Sequence, residues 1–315
     1  MTSVLVYGAY GHTGRFVVAE LRRRGFEPIL SGRDAAKLPG GRPASVDDPA
    51  SLDRALDGVA AVINCAGPFA ATAVPVIEAA ARAGVPYVDV AAEIEANLDT
   101  FALDIDTVVV PAMAFFGGLG DLLATAAMGD WTAADEIHVA YALSGWRPTA
   151  GTLAAGQVSR DRRDGRRVRF ADGWLEHRDD ALPTLEWTFP APLGPQPVFG
   201  EFSMADVVTI PRHLRVPSVT SYMTVNAAKD LFAGGERDSA ESFVVDVVVR
   251  SGGEERRAVA RGQDIYAVSA PLAVEAVERI LSGRTTAKGV ASAGEIFDAA
   301  DFLRALAPHI SVELR

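Results

Sequence analysis

Short apolar runs alternate with helical stretches through the first third of the chain. Val4-Leu5-Val6-Tyr7 is an uninterrupted apolar run, the pattern of a strand buried on both faces. A helical stretch follows over 15–24 and stops at Gly25. Pro28-Ile29-Leu30-Ser31 predicts a second strand, 44–46 a short third, and 49–56 a helix. Residues 60–66 predict a fourth strand that ends in Gly67-Pro68-Phe69. Thr72 is placed to cap a helix running to Ala83, with Pro75 in its first turn and Gly84 closing it. Tyr87-Val88-Asp89-Val90 and 107–110 predict a fifth and a sixth strand. Alternation of this kind implies a parallel sheet with helices on both faces.

Near Phe116 the pattern changes. Gly117-Gly118-Leu119-Gly120-Asp121 reads as a loop, with Asp121 capping a helix over 122–128. Strands dominate afterwards, at 136–144, 166–177, 217–225, 242–250 and 256–261, with turn signals at Asp164-Gly165 and Gly252-Gly253. The proline-bearing stretch 191–196 reads as a loop, and helices are expected over 270–281 and 294–306. The expected architecture is α/β. An N-terminal Rossmann domain, a doubly wound parallel sheet, occupies 1–116. A second, α+β domain for substrate binding and dimerisation occupies 117–268, on a mixed or antiparallel sheet. C-terminal helices at 269–315 are expected to pack back on the first domain.

The first strand runs into Gly8-Ala9-Tyr10-Gly11-His12-Thr13-Gly14 and then a helix. Glycines in a strand–turn–helix allow a tight turn and close approach to a pyrophosphate, and the helix N-terminus offers unpaired N–H groups to the anion. At the end of the second strand an acid would bond a ribose 2′-hydroxyl. Here Ser31-Gly32-Arg33 stands in that region, which suits a 2′-phosphate, so the cofactor reading is NADP(H). Asp34 reads as an N-cap for the turn that follows.

A formal net charge of −11 argues against nucleic acid and anionic membranes as partners. The single cysteine, Cys65, lies in an apolar strand and permits no intramolecular disulfide, which fits a reducing cytoplasm and a small buried hydrophobe. Met1-Thr2-Ser3 leads straight into the first strand, so no signal peptide is expected, and no apolar stretch is long enough to span a bilayer. The five histidines are scattered without paired-ligand spacing, so no metal is expected.

Several segments, in order, resemble the saccharopine dehydrogenase-like (saccharopine reductase) family of NADP-dependent oxidoreductases. They are 8–15, Ser31-Gly32-Arg33-Asp34, 62–69, Tyr87-Val88-Asp89-Val90-Ala91-Ala92-Glu93, and 262–266 through 288–290. The trans-acting enoyl reductases of that family share the N-terminal pattern. Tyr10, His12 and Ala91-Ala92 depart from residues the family often has there. The resemblance implies an NADP-dependent enzyme, leans towards a homodimer, and makes Asp89 and Glu93 the counterpart of the family's acidic pair.

Candidate site residues follow. Gly8, Tyr10, Gly11, His12, Thr13, Gly14, Ser31, Arg33, Cys65, Ala66, Gly67 and Pro68 are expected at the cofactor. Phe69, Glu93, Arg147 and Thr152 are expected at the substrate, the last two through an anion site at the start of a helix capped by Thr149. No Tyr-x-x-x-Lys pair is present, which leaves Tyr141, His213 and Tyr222 as candidates for the proton donor. The expected function is NADPH-dependent reduction of a C=N or C=C bond in a free small metabolite. The alternative is an NADP(H)-binding regulator without catalysis.

Overall fold

The computed structural model describes residues 1–233 and 241–315. The first sheet is parallel. Its strands are β1 (Ser3–Tyr7), β2 (Glu27–Gly32), β3 (Arg42–Pro43), β4 (Ala61–Asn64), β5 (Tyr87–Asp89) and β6 (Val109–Val110), in the order β3-β2-β1-β4-β5-β6. Helices α1 (His12–Arg23), α2 (Pro49–Leu56), α3 (Phe69–Ala83) and α4 (Ile94–Phe101) link them. β1 pairs with both β2 and β4, so the strand order reverses there and a crevice opens at the carboxyl ends of β1 and β4. The apolar runs read in the sequence are buried: Val4, Val6, Val62 and Ile63 are all fully enclosed.

Local details differ from the sequence reading. The third strand lies at Arg42–Pro43, just ahead of 44–46. Helix α3 starts at Phe69, so Thr72 is inside its first turn, where its hydroxyl donates to the Ala66 carbonyl, and Pro75 sits within the helix. Gly84 closes α3 in the left-handed conformation, as the pattern indicated.

The second sheet is mixed. Its strands are β7 (Glu136–Leu143), β8 (Arg167–Ala171), β9 (Trp174–Arg178), β10 (Thr184–Phe189), β11 (Gly194–Phe199), β12 (Val219–Thr224), β13 (Ser242–Ser251), β14 (Glu254–Gln263) and β15 (Ile310–Leu314). The order is β10-β11-β12-β7-β13-β14-β15, with the β8–β9 hairpin beside β12. Helix α5 (Gly120–Met128) precedes β7, and α6 (Ala150–Arg162), α7 (Asp206–Thr209) and α8 (Val225–Ala233) lie between the strands. They are followed by α9 (Ser269–Leu281), α10 (Ala293–Ile296) and α11 (Ala299–Ala305).

Four expectations change here. The run 166–177 is a hairpin turning at Asp172-Gly173, and Asp164-Gly165 joins α6 to β8 instead of joining two strands. The stretch 191–196 is only partly a loop, because Pro195 and Pro197 lie in β11, whose contact with β12 is confined to Val198 and Phe199. Proline lacks an N–H and is tolerated where one side of a strand needs no ladder bond. Asp121 lies in the first turn of α5 and does not cap it. The helix expected over 294–306 breaks at Phe297, after which Asp298 caps α11.

The C-terminal segment serves both sheets. Helix α9 packs on α1, and Arg24, which caps the end of α1, reaches Glu275 and Glu278 of α9. Val109 bonds to Gly289 and Ala291, which extends the first sheet. Then α10 and α11 pack on α5, and β15 completes the edge of the second sheet. The last segment is therefore more than helices returning to the first domain.

Candidate functional site

The crevice at the carboxyl ends of β1 and β4 opens into a cavity of about 770 Å³. Its floor is the turn from Gly8 to Thr13, and each glycine there answers a close approach. A Cβ on Gly8 would lie 2.8 Å from the Ala66 nitrogen, and one on Gly14 would collide with the Gly8 carbonyl oxygen. Helix α1 starts after Gly11 without a side-chain cap, leaving its first N–H groups facing the loop. At one end Tyr10 packs its ring against Gly32 and accepts at its hydroxyl from the Asp34 N–H, 3.3 Å away. Arg33 is exposed on the rim beside it.

The turn Cys65-Ala66-Gly67-Pro68-Phe69 forms the wall at the other end. Asn64 shapes it, accepting from the Ala66 N–H at 2.9 Å and donating to the Tyr87 hydroxyl. Glu93, 4% exposed, closes the wall, and its carboxylate accepts the Phe69 N–H at 2.9 and 3.2 Å. Burial pushes this acid up to about 7, with the Asp89 and Glu95 charges adding to it and the Phe69 N–H opposing. Asp89 is held behind the wall by the Tyr87 hydroxyl and the Ala91 and Ala112 amides, and burial raises it to about 6. Burial also pushes the Cys65 thiol up, away from a reactive thiolate.

The second domain supplies the roof. The first turns of α6 lie over the cavity with Gly151, Thr152, Ala155 and Gly156, and Phe116, Trp146, Phe202 and Met204 add apolar walls. Tyr266 ties this roof together. Its hydroxyl accepts from the Thr149 N–H at 3.2 Å and the Trp146 indole at 3.4 Å, contacts the Thr152 hydroxyl at 2.9 Å, and donates to the Arg147 carbonyl. Its ring meets His12 edge-on at 5.0 Å, so the glycine loop and the roof touch there.

Gly8, Tyr10, Gly11, His12, Thr13, Arg33, Cys65, Ala66, Gly67 and Pro68 thus line one cavity together with Phe69, Glu93 and Thr152. Gly14 lies just behind the loop as a packing position. Ser31 is a correction: it is fully buried, and its hydroxyl donates to the Arg42 carbonyl at 2.7 Å, so it does not face a phosphate. Arg147 is absent from the lining, and its carbonyl serves Tyr266.

The three proton-donor candidates are also corrected, since none of them lines the cavity. Tyr141 is buried and donates to Asp206 at 2.9 and 3.0 Å. Tyr222 is on the opposite face of the sheet, 2.9 Å from His138 Nδ1. His213 is bound to the buried Asp121 at 2.7 Å. Tyr266, Trp146 and Phe116 were not singled out from the sequence. They lie in loops and turns, where no periodicity marks the side that faces a ligand.

Among the described residues, no helix is long and apolar enough to cross a membrane, and no group of three His, Cys, Asp or Glu is placed to hold a metal.

Residues 4–107 match the family described as the saccharopine dehydrogenase NADP binding domain. A probable mitochondrial saccharopine dehydrogenase-like oxidoreductase of Arabidopsis thaliana is 30% identical over 142 residues, 36% of this chain and 31% of that protein. The human saccharopine dehydrogenase-like oxidoreductase is 30% identical over 117 residues, 29% of this chain and 27% of its own length. The matched segments thus span about a third or less of these relatives. The structure of apo saccharopine dehydrogenase (L-Glu forming) from Saccharomyces cerevisiae superposes with a TM-score of 0.70 at 10% identity, covering 100% of both chains, which shows a shared fold. The cofactor is NADP(H). Residues 4–107 thus resemble the NADP binding domain of the saccharopine dehydrogenase family, and along its whole length the chain shares the fold of the yeast enzyme.

Proposed function

We propose that the protein is an NADPH-dependent reductase of a C=N or C=C bond in a small, free metabolite. The observation that carries this is the continuity of the cavity. It runs from the glycine loop to an apolar compartment walled by Phe69, Phe116, Trp146, Phe202 and Met204, leaving room for an acceptor beside the cofactor. The turn 8–13 and the α1 N-terminus would hold the pyrophosphate, Tyr10 the adenosine end, Arg33 the 2′-phosphate, and 65–68 the nicotinamide. Bound NADPH supplies a hydride equivalent. The protein's own part is to position the acceptor, exclude water with its aromatic roof, and supply a proton. The start of α6, where the Thr149 hydroxyl accepts the Thr152 N–H at 3.1 Å, offers unpaired amides to a polar substituent.

A free substrate, and not one on an acidic carrier protein, is supported by how the arginines between 162 and 169 are paired. Arg162 pairs with Asp99, Arg163 with Glu95, Arg166 with Asp164, Arg167 with Glu201 and Arg169 with Glu176. These acids belong to the same chain and reduce the patch's pull on an acidic partner. The proposed homodimer through the second domain rests on the family resemblance alone, because Phe189, Val198 and Tyr222 on the outer face of the second sheet are already buried within the chain. A lone, partly buried thiol suits the cytoplasm.

Incubating the protein with NADPH and a panel of conjugated enoyl compounds and amine–carbonyl mixtures tests the reading. Oxidation of NADPH dependent on one acceptor class supports it. Tight NADPH binding with no oxidation by any member would instead favour a regulator.

A further inference from the structure

Glu93 is set into the cavity wall in an unusual state for a carboxylate. It is almost wholly buried, lines the cavity, and its hydrogen bonds run to backbone N–H groups, that of Phe69 first. At the end of α6, Arg160 and Arg163 line the cavity; Arg163 is held by Glu95 and Arg162 by Asp99 of α4. Of the charges bearing on it, Asp89 at the end of β5 and Glu95 of α4 have the same sign, and Arg162 has the opposite one. A carboxyl so placed is easier to hold neutral than ionised. A buried residue serving only to dock the α3 N-terminus would do as well with an uncharged amide.

The rest of the wall offers no comparable donor. Tyr266 has its hydroxyl committed to four partners. Tyr10 stands at the Arg33 end, His12 lies on the glycine loop, and the Tyr7 hydroxyl points to the Ala44 carbonyl. Glu93 is beside Gly67-Pro68-Phe69, the turn at the carboxyl end of β4.

We propose that Glu93 is the catalytic general acid: its carboxyl proton goes to the acceptor atom that gains the electron pair as the double bond is reduced. This rests on the reductase reading above. The balance is simple. The acceptor's π bond breaks, hydride from NADPH forms a C–H bond at one atom, and the proton from Glu93 forms an N–H or C–H bond at the other. The resulting carboxylate regains a proton from solvent. Because the donor must start protonated, activity should fall as pH rises through about 7, the value to which burial lifts this group.

The test compares wild type with Glu93→Gln and Tyr266→Phe. Glutamine keeps an oxygen for the Phe69 N–H, so the fold and NADPH affinity should persist. The variant's kcat should drop about a hundredfold or more with the acceptor KM little changed, and the alkaline fall above pH 7 should vanish. Tyr266→Phe should keep that fall. A readout independent of turnover is the carboxyl C=O band of the NADP⁺ complex, followed by infrared difference spectroscopy. A buried carboxyl band that titrates near neutrality in wild type should be missing in Glu93→Gln. Wild-type turnover with an unchanged pH profile in Glu93→Gln, or loss of the alkaline limb in Tyr266→Phe, overturns this role alone. No turnover in wild type, with NADPH bound, overturns the reductase reading and this role together.

Discussion

Arg33 is the residue on which cofactor choice turns. Its guanidinium stands on the rim beside Tyr10, with fixed donors that suit two phosphate oxygens. Arg33→Ala should weaken NADPH binding about ten- to hundredfold and leave NADH nearly unchanged, as titrations with each cofactor would reveal. Ser31 looks equivalent in the sequence, yet its hydroxyl is spent on the Arg42 carbonyl inside the sheet. Ser31→Asp should therefore not move preference towards NADH; it should cost about 2 kcal/mol or more of stability by burying a carboxylate against a carbonyl. Denaturant unfolding measures that loss. The contrast shows what was legible at this scale. Glycines announce themselves because the demand for a missing Cβ is local. The direction of Ser31, Tyr141 or Tyr222 depends on strand alternation and on what covers each face. Tyr141 and Tyr222 lie on neighbouring strands of one sheet and point to opposite sides.

Two elements hold the cavity in shape. Helix α9 is bolted to α1 through Arg24, whose side chain is 11% exposed and contacts Glu20, Glu275 and Glu278. Arg24→Ala would leave those acids crowded and partly unpaired, at a cost of about 3 kcal/mol, visible as a lower unfolding midpoint. The start of α6 is held by the Tyr266 hydroxyl, so Tyr266→Phe strands the Thr149 and Trp146 N–H groups. We expect a rise in acceptor KM of roughly tenfold with NADPH affinity preserved, because the loop from Trp146 to Thr149 loosens while the nucleotide floor stays. Helices and strands with clear periodicity were legible, among them Pro49–Leu56, Glu136–Leu143 and Ser269–Leu281. Those that broke local rules were not. β11 carries two prolines; the fold-back of 166–177 at Asp172-Gly173 does carry an Asp-Gly turn signal like that at Asp164-Gly165, and is missed when the run is read as one strand. The C-terminal strand β15 is short, and its pairing with β14 is a contact between distant parts of the chain.

At the scale of the whole molecule, the sequence made the alternation of the first domain plain but not how the chain's end returns. The segment after α9 touches the first sheet at Val109, packs on α5, and finishes in the second sheet, so the two halves fold around a shared C-terminus. Three acids buried along this junction also set the molecule's pH response. Burial raises Asp89 to about 6, and Glu93 and Asp206 to about 7. Each holds its proton more tightly folded than unfolded, so the folded state binds more protons at pH 5 to 7, and stability declines as pH rises through that window. Paired acids such as Glu20, held near 2 by Arg23 and Arg24 against the cost of burial, are ionised throughout it and add no slope. The melting temperature should fall between pH 5 and pH 8 by about 5 °C or more, and by less in Glu93→Gln. A flat profile would mean that water reaches these carboxyls. The most direct test of the whole account is a single-turnover experiment with NADPH deuterated at the transferable position of the nicotinamide, mixed with imine- and enoyl-type acceptors. The expected result is loss of NADPH matched one for one by a product carrying deuterium on carbon. Recovery of bound, unoxidised NADPH from every mixture would contradict it.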